Sequence, residues 1–410
     1  MFRKIRLGKR GAAAVLICVI MVSVMSLSMI VIRASMQTSN LSKTNAILVL
    51  AGRSCLGEYD IPIYEKYGLF ARYGDEDEIA SRIKYYCEKS GGSGISVGNL
   101  DSSSYCLNDM QVLEDEIVRL VKNEAPADLL SWFSGGSFEA GRCGRGDSSK
   151  NGIYMHCSEP DFDKEKRHLP SYGDEYRHFE MPDLKRFDID AFIRGNTDKI
   201  MLIYYLFNYF NRYTDQDVYS QSFFKYEIEY ILSGKRSDEE NLSALKRKFL
   251  VYRAPLNAAH ILSSPEKMEK VAALAATLPP GANLTAEAAI ILAWSAAETS
   301  NDWRLLLDGK NVPVMKTAET WALPLSKSLL TALPEQIVYP AVNSGLDYDK
   351  HLILFLCFVN KECVLLRSMD IIQLNMRKNY YPEFSLKDYA TGFYVECSLG
   401  KQILKYEHTY

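Results

Sequence analysis

An uninterrupted apolar run near the amino terminus constrains this chain more than any other feature. Residues 11–32 read GAAAVLICVIMVSVMSLSMIVI and contain no charged side chain. At a rise of 1.5 Å per residue, a helix of this length spans about 33 Å, which exceeds the roughly 30 Å hydrocarbon core of a bilayer. The run therefore predicts a transmembrane helix, and we expect membrane lipid to be a partner of residues 11–32.

The residues on either side of this run predict how the helix is oriented. Residues 1–10 contain five cations and no anion. Because basic flanks remain on the cytoplasmic side, we expect a cytoplasmic tail over 1–10 and an extracytoplasmic location for the rest. The alternative is a cleaved secretory signal, but its apolar core usually covers only about 7–15 residues. We therefore predict a cell-membrane protein with a single uncleaved span.

The predicted helix continues beyond the membrane. Neither Pro nor Gly occurs between Gly11 and Gly52, so nothing breaks the helix before about residue 55, and we expect a helical stem over 33–58. Two later apolar segments, 199–210 and 351–359, are too short to span a bilayer. They are predicted to be buried core helices.

The remainder of the chain has the composition of a globular protein. Hydrophobic residues make up 47% and charged residues 24%, which excludes wholesale disorder. We expect a mainly α (α+β) head: a first part over 59–130, a flexible insertion over 131–190, and a helical domain with carboxyl-terminal strands over 191–410. The net charge of −3 argues against a dedicated nucleic-acid binder.

Hydrophobic periodicity places the elements of this head. Residues 90–104 are rich in Gly and Ser and predict a loop or short strands, and the last thirty residues have strand character. The helices are predicted over 76–88, 108–126, 196–213, 218–232, 237–250, 255–262, 264–278, 284–308, 347–359 and 361–378.

Cysteines allow a small number of disulfides in the expected compartment. Eight of the nine lie outside the apolar run, and an extracytoplasmic location permits bridges. We expect one or two at most, with the connectivity left open, because the chain is long enough to build a core without them. The cysteines expected to take part are Cys87, Cys106, Cys143 and Cys157.

Short catalytic motifs are missing from this sequence. It contains no Walker A loop, HExxH, GxSxG or CxxC, and we expect neither a metal nor another cofactor. Four carboxylates form one candidate set: Glu227, Glu229, Glu298 and Asp302. The last two are four residues apart on a predicted helix and would share a face, although such residues usually have a solvated or capping role.

The amino-terminal motif KRGAAAVLICVI resembles the start of TadE- and TadG-like pseudopilins of the tight-adherence (Flp/Tad) pilus system. The segment GEYDIPIYEKYGLFA that follows the stem is similar to a signature of Tad-like extracytoplasmic proteins from Gram-positive bacteria, whose biochemical role is undefined. EYILSGKRSDEEN, YRAPLNAAHIL and SMDIIQLNMRK resemble recurrent blocks of the same group. The resemblance implies other Tad-type pilus or secretion subunits as partners.

The resemblance also suggests a processing position, with one departure. Pilin-like precursors are cut after a glycine and carry Glu at the fifth position beyond it. If Gly11 is that glycine, the Glu position is Leu16 here. The match therefore favours a pilin-like membrane helix without requiring cleavage at Gly11.

Three functions follow from these observations. The first is a non-enzymatic, outward-facing pseudopilin-like or assembly component of a Tad/Flp-type pilus or secretion apparatus, with no nucleic acid or small-molecule substrate. The second is a surface binding or adhesion module that uses residues 131–190. The third is an extracytoplasmic cell-wall enzyme that uses the four carboxylates.

Overall fold

The structure, a computed structural model, is mainly helical. Helices account for 65% and strands for 10%, and a long apolar helix lies at the amino terminus, as the sequence predicts. The residues that it describes are 9–92, 94–124, 160–172, 195–215, 222–277, 283–326, 336–399 and 402–410.

The elements are numbered in chain order. The helices are α1 (Lys9–Leu56), α2 (Ile61–Tyr67), α3 (Glu76–Lys89), α4 (Met110–Glu124), α5 (Phe162–Glu165), α6 (Thr197–Tyr209), α7 (Glu227–Ser233), α8 (Asp238–Ser263), α9 (Pro265–Ala275), α10 (Asn283–Leu307), α11 (Tyr348–Phe358) and α12 (Lys361–Asn379). The strands are β1 (Arg72–Tyr73), β2 (Ile95–Asp101), β3 (Tyr389–Ala390), β4 (Gly392–Leu399) and β5 (Gln402–Thr409).

The chain divides into two compact units that alternate along the sequence. Unit 1 comprises residues 1–59, 71–105 and 390–410, and unit 2 comprises residues 60–70 and 106–389. This grouping differs from the predicted boundaries, because residues 390–410 join the stem rather than the helical domain at 191–389. The reason is strand pairing, since β4 lies between β2 and β5 in one antiparallel sheet.

The core of unit 1 joins the carboxyl-terminal part of α1 to α3 and this sheet. Every third or fourth residue of both helices is buried, which is the spacing of one helix face. Every second residue of β4 is buried, as expected for one face of a sheet. The core residues are Leu48, Ala51, Cys55, Leu56, Ile79, Ile83, Cys87, Leu100, Phe393, Val395 and Cys397.

The amino-terminal part of α1 packs against nothing in the described residues. Its large apolar side chains, from Val15 to Ile32, are each more than half exposed. Within the described residues, α1 is the one helix long and apolar enough to cross a membrane. The predicted continuous helix is confirmed, but only the part of the predicted stem from Thr44 onward is packed into a core.

The core of unit 2 contains the two short apolar helices. Every residue from Ile200 to Tyr209 in α6 is buried, and α11 is buried over Leu352–Phe358. The prediction that these segments are core helices is therefore confirmed. The hydroxyl of Tyr205 donates a hydrogen bond of 2.9 Å to the carbonyl of Tyr67, which ties α6 to the end of α2.

One predicted helix break does not occur. The sequence predicts two helices, over 237–250 and 255–262, and Pro255 lies at the start of the second. An internal proline removes a backbone donor and usually interrupts a helix. In the structure α8 runs through Pro255 without interruption. Tyr252 and Asn257, on either side of the proline, are both buried, so packing of this face outweighs the local preference.

Candidate functional site

A cavity of about 1130 Å³ opens in unit 2. One wall is the segment 160–172, and the other walls come from the end of α7 with the following loop, from the first half of α8, and from α12. The aromatic rings of Phe162, Tyr172 and Tyr230 contribute apolar surface.

The charged side chains that line this cavity are mainly cationic. Six cations face two anions, Asp163 and Glu240, an excess of four positive charges in a chain whose net charge is −3. The cations are Lys166, Lys235, Arg236, Arg247, Lys248 and Arg367.

A glycine shapes one wall of the cavity. Gly234 caps the carboxyl-terminal end of helix α7 and has a φ of 62°, in the left-handed region that glycine adopts readily. A Cβ atom at this position would lie 2.9 Å from Nε of Arg367. The absence of a side chain at Gly234 therefore lets the guanidinium group lie against the backbone.

Two of the cations also cap α7. Arg367 donates through Nη1 to the carbonyl of Ile231 at 2.8 Å, and Lys248 donates to the carbonyl of Leu232. The last carbonyls of a helix lack partners within the helix and favour nearby positive charge. Arg367 and Lys248 therefore have a structural role in addition to their contribution to the charge of the cavity.

The segment 160–172 is held by buried polar groups of α12. Asp370 accepts hydrogen bonds from the backbone nitrogen of Ser171 at 3.0 Å and from the hydroxyl of Tyr230 at 2.9 Å. Burial raises the pKa of Asp370 to about 6. The amide of Gln373 donates to the carbonyl of His168 at 3.0 Å. This described part of the predicted insertion is thus a packed wall; the rest of 131–190 lies outside the described residues.

Two of the predicted carboxylates belong to a buried ionic network. Glu298 and Asp302 share one face of α10, as predicted, and each has an oxygen 2.6 Å from Nζ of Lys316. Asp302 also accepts from Nε of Arg253 at 3.1 Å. Glu298 accepts from the backbone nitrogen of Leu323 at 2.8 Å. The network thereby fixes the loop after α10 onto α8 and α10.

The other two carboxylates lie in the first turn of α7. Glu227 accepts from the backbone nitrogen of Asn211 at 2.7 Å, and Glu229 accepts from that of Tyr213 at 3.0 Å. The hydroxyl of Tyr348 donates to Glu229 at 2.8 Å. Burial raises the pKa of Glu229 to about 7 despite these hydrogen bonds.

All four carboxylates are buried, and none is among the residues that line the cavity. The structure brings Glu298 and Asp302 together around Lys316. Glu227 and Glu229 accept hydrogen bonds from backbone nitrogens and from the side chains of Asn375 and Tyr348, respectively, and Oε2 of Glu229 has no hydrogen-bond partner among the described residues. Their arrangement explains how loops are held, and it does not present an open carboxylate pair to a substrate.

The sequence interpretation missed the cavity because its lining comes from segments far apart in the chain. One signal was available: two basic clusters, Lys235-Arg236 and Lys246-Arg247-Lys248, flank the acidic start of α8. Only their placement opposite α12 and 160–172 shows that they share a concave surface.

Two of the four cysteines expected to form bridges lie among the described residues, and neither is bridged. Cys87 and Cys106 are free thiols. Cys87 is buried in the core of unit 1, and the sulfur of Cys106 donates to the carbonyl of Lys387 at 3.3 Å. Cys143 and Cys157 lie outside the described residues. Gly11 lies in the first turn of α1, and its processing stays a prediction.

Comparison with known proteins gives one match. A model of a family of unknown function, DUF5702, matches residues 161–401, more than half of the chain. No curated protein and no solved structure matches the chain. The matched region contains the whole lining of the cavity and the four carboxylates.

Proposed function

This chain belongs to the DUF5702 family, and we propose that it is a single-pass membrane protein that serves as a non-enzymatic assembly component of the cell envelope. The observation that carries the proposal is that α1 has an exposed apolar part and a part that packs into unit 1. Its amino-terminal part exposes apolar side chains from Val15 to Ile32, whereas one face of its carboxyl-terminal part is buried in the core of unit 1, at Leu48, Ala51, Cys55 and Leu56. One helix therefore supplies both the anchor and a piece of the folded core.

The orientation that we propose places both units outside the cytoplasm. The five cations of residues 1–10 precede the apolar run, and positive flanks are retained on the cytoplasmic side. Neither unit contains a second helix that could span a membrane among the described residues, so both follow the single span to the same side.

The apparatus that we propose is a Tad/Flp-type pilus or secretion system. The support is the resemblance of KRGAAAVLICVI to TadE- and TadG-like pseudopilins, together with the organisation of α1. A helix with an exposed apolar half can pack laterally against similar helices in the bilayer, where small residues such as Ser23 and Ser26 allow close approach. Leu16 replaces the pilin glutamate, so this role does not depend on cleavage at Gly11.

Protease treatment of whole cells combined with gene deletion tests this function. Protease added outside should digest both units and leave a fragment that contains residues 11–32. Deletion should reduce surface appendages, and site-specific crosslinkers in residues 15–32 should capture other Tad-type subunits. Protection of both units from external protease, or normal appendages without any crosslinked subunit, would exclude the proposal.

A second candidate function, a surface binding module, is favoured by one observation. The described part of the predicted insertion, residues 160–172, forms a wall of the cationic cavity. Deletion of all of 131–190 would remove the contact between Ser171 and Asp370, so substitutions at exposed lining residues are the cleaner test. Lys235 and Arg247 are exposed, and their replacement by glutamine should reduce adhesion while unit 2 stays folded.

A further inference from the structure

We propose that the cavity of unit 2 binds a phosphate-bearing polyanion, with Lys166, Lys235 and Arg247 as the groups that contact it. This inference rests on the second candidate function, that the cavity is a binding site, and it is independent of the anchor and the assembly role. It specifies the chemistry of the ligand.

The first support is the unequal balance of charge in the cavity. Arg236 has an ion-pair partner in Glu240, at 2.7 Å. Lys166, Lys235 and Arg247 form no ion pair with any residue that the structure describes. Clefts lined by one sign of charge raise the local concentration of counter-ions. The cavity therefore attracts anions while the chain as a whole is weakly acidic.

The second support is the effect of this charge on Lys248. The pKa of Lys248 is lowered to about 8, chiefly by burial, and the positive charges of Arg367 and Lys235 contribute to this shift in the same direction. A lysine crowded by cations in this way is stabilised in its charged form when an anion binds nearby. Ligand binding and protonation of Lys248 should therefore favour each other.

The third support is the size of the cavity and the type of its cations. A volume of about 1130 Å³ exceeds the roughly 300–1,000 Å³ typical of sites for one small molecule. The six cations come from four separate segments: 160–172, the loop after α7, α8 and α12. Arginine guanidinium groups match phosphate oxygens in two parallel hydrogen bonds. A ligand with several spaced phosphate groups suits this lining better than a single anion does.

Titration with inorganic polyphosphate tests the proposal. The full chain, purified in a non-ionic detergent, should bind the polymer at low ionic strength, and added salt should weaken the binding. The double variant Lys235→Gln/Arg247→Gln removes two exposed cations from the lining and should reduce the affinity by about tenfold or more. Poly-L-glutamate, a carboxylate polymer, should bind more weakly than polyphosphate.

A matched double variant separates a site from diffuse attraction. Lys122→Gln/Lys387→Gln removes the same charge from exposed positions of unit 2 outside the lining, and it should change the affinity by less than about twofold. Equal losses in the two double variants, no binding of polyphosphate, or equal binding of poly-L-glutamate would each overturn the proposal.

Soluble dihexanoyl phosphatidylglycerol distinguishes two sources of the same chemistry. If this lipid binds more tightly than polyphosphate, and the Lys235→Gln/Arg247→Gln variant loses that binding, the phosphate group belongs to a lipid headgroup. If polyphosphate binds more tightly, the source is a free polymer, as the proposal expects. Tighter binding of the lipid, which carries a single phosphate group, would overturn the preference for a polyanion. If neither binds but the variant still reduces cell adhesion, the phosphate chemistry fails and the binding module survives.

Discussion

Nζ of Lys316 lies 2.6 Å from Oε1 of Glu298, and the side chains of both residues are almost completely buried, with 1% and 0% exposure. When a buried charge loses its partner, no ion pair compensates its desolvation. The resulting loss of folding free energy is far larger than the loss caused by breaking a surface ion pair. This relationship makes Lys316 a structural determinant of unit 2.

Substitution Lys316→Met should therefore lower the free energy of unfolding of unit 2 by about 3–5 kcal/mol. The control is Lys270→Met, because Lys270 is also 2.6 Å from its partner, Glu266, but both side chains are more than half exposed. This control should lose less than about 1 kcal/mol. Tryptophan fluorescence during urea denaturation reports the difference, since Trp294 and Trp303 are buried in unit 2. Equal losses would show that burial does not determine the strength of the pair.

Glu229 should make the stability of unit 2 depend on pH. Its pKa is raised from 4.5 to about 7, chiefly by burial, so the folded state holds the proton more tightly than the unfolded chain does. The resulting stabilisation is complete below pH 4.5 and is lost as pH rises to about 7, a change of about 3 kcal/mol.

The variant Glu229→Gln cannot ionise, so its stability relative to the wild type should increase over this pH range. Urea denaturation at pH values on either side of the range measures the difference. Glu65→Gln, which removes a carboxylate from an exposed position of unit 2, is the control. Wild-type and Glu229→Gln curves that remain parallel would contradict the prediction.

Gly52 should be intolerant of even a methyl group. A Cβ atom there would lie 2.3 Å from Nε2 of His408 on β5, and His408 is buried. Gly52→Ala should destabilise unit 1 by about 1–3 kcal/mol through overpacking, although alanine is the better helix former by roughly 1 kcal/mol. Hydrogen exchange of peptides from β4 and β5 should accelerate correspondingly.

A second variant shows whether this clash is the cause. In a His408→Ala background the imidazole is absent, so Gly52→Ala should no longer accelerate hydrogen exchange. Its effect on the stability of unit 1 should then approach the stabilisation expected from the higher helix propensity of alanine. If Gly52→Ala is equally harmful in both backgrounds, the damage does not come from contact with His408.

Charge placed in the exposed half of α1 should release the protein from membranes. Each arginine near the centre of a transmembrane helix costs about 2.5–3.5 kcal/mol, so Ile20→Arg/Val24→Arg should weaken insertion strongly. Met36→Arg/Asn40→Arg adds the same charge to exposed positions beyond the apolar run 11–32 and should leave insertion unchanged. Alkaline extraction of membranes distinguishes the two, and equal extraction of both variants would argue against the assigned span.

Local sequence patterns predicted those elements that depend mainly on the composition and periodicity of their own segment. The uncharged run predicted α1, and the dense apolar stretches predicted that α6 and α11 are buried. The four-residue spacing of Glu298 and Asp302 also predicted their common face on α10. Each of these inferences needs only the period of a helix and the composition of a segment.

Local sequence patterns could not predict features that depend on contacts between segments far apart in the chain. The continuity of α8 through Pro255 depends on burial of Tyr252 and Asn257 against other elements, which local propensity does not contain. No pattern in the sequence indicated that Lys316 would pair with Glu298. The sequence did not predict the cavity either, because the loop containing Lys235 meets α12 at Arg367 only after the chain has folded.

The interleaved order of the two units has a consequence for biogenesis. The hydroxyl of Tyr410 donates to the carbonyl of Leu56 across a separation of 354 residues, so α1 meets its final partners only after all of unit 2 has been synthesised. Until then the apolar face of α1 and α3 lacks β4 and β5, and loop closure over such a distance is slow. In the membrane arrangement that we propose, α1 holds this incomplete unit at the bilayer during translation, and chaperones and proteases have access to it in that interval.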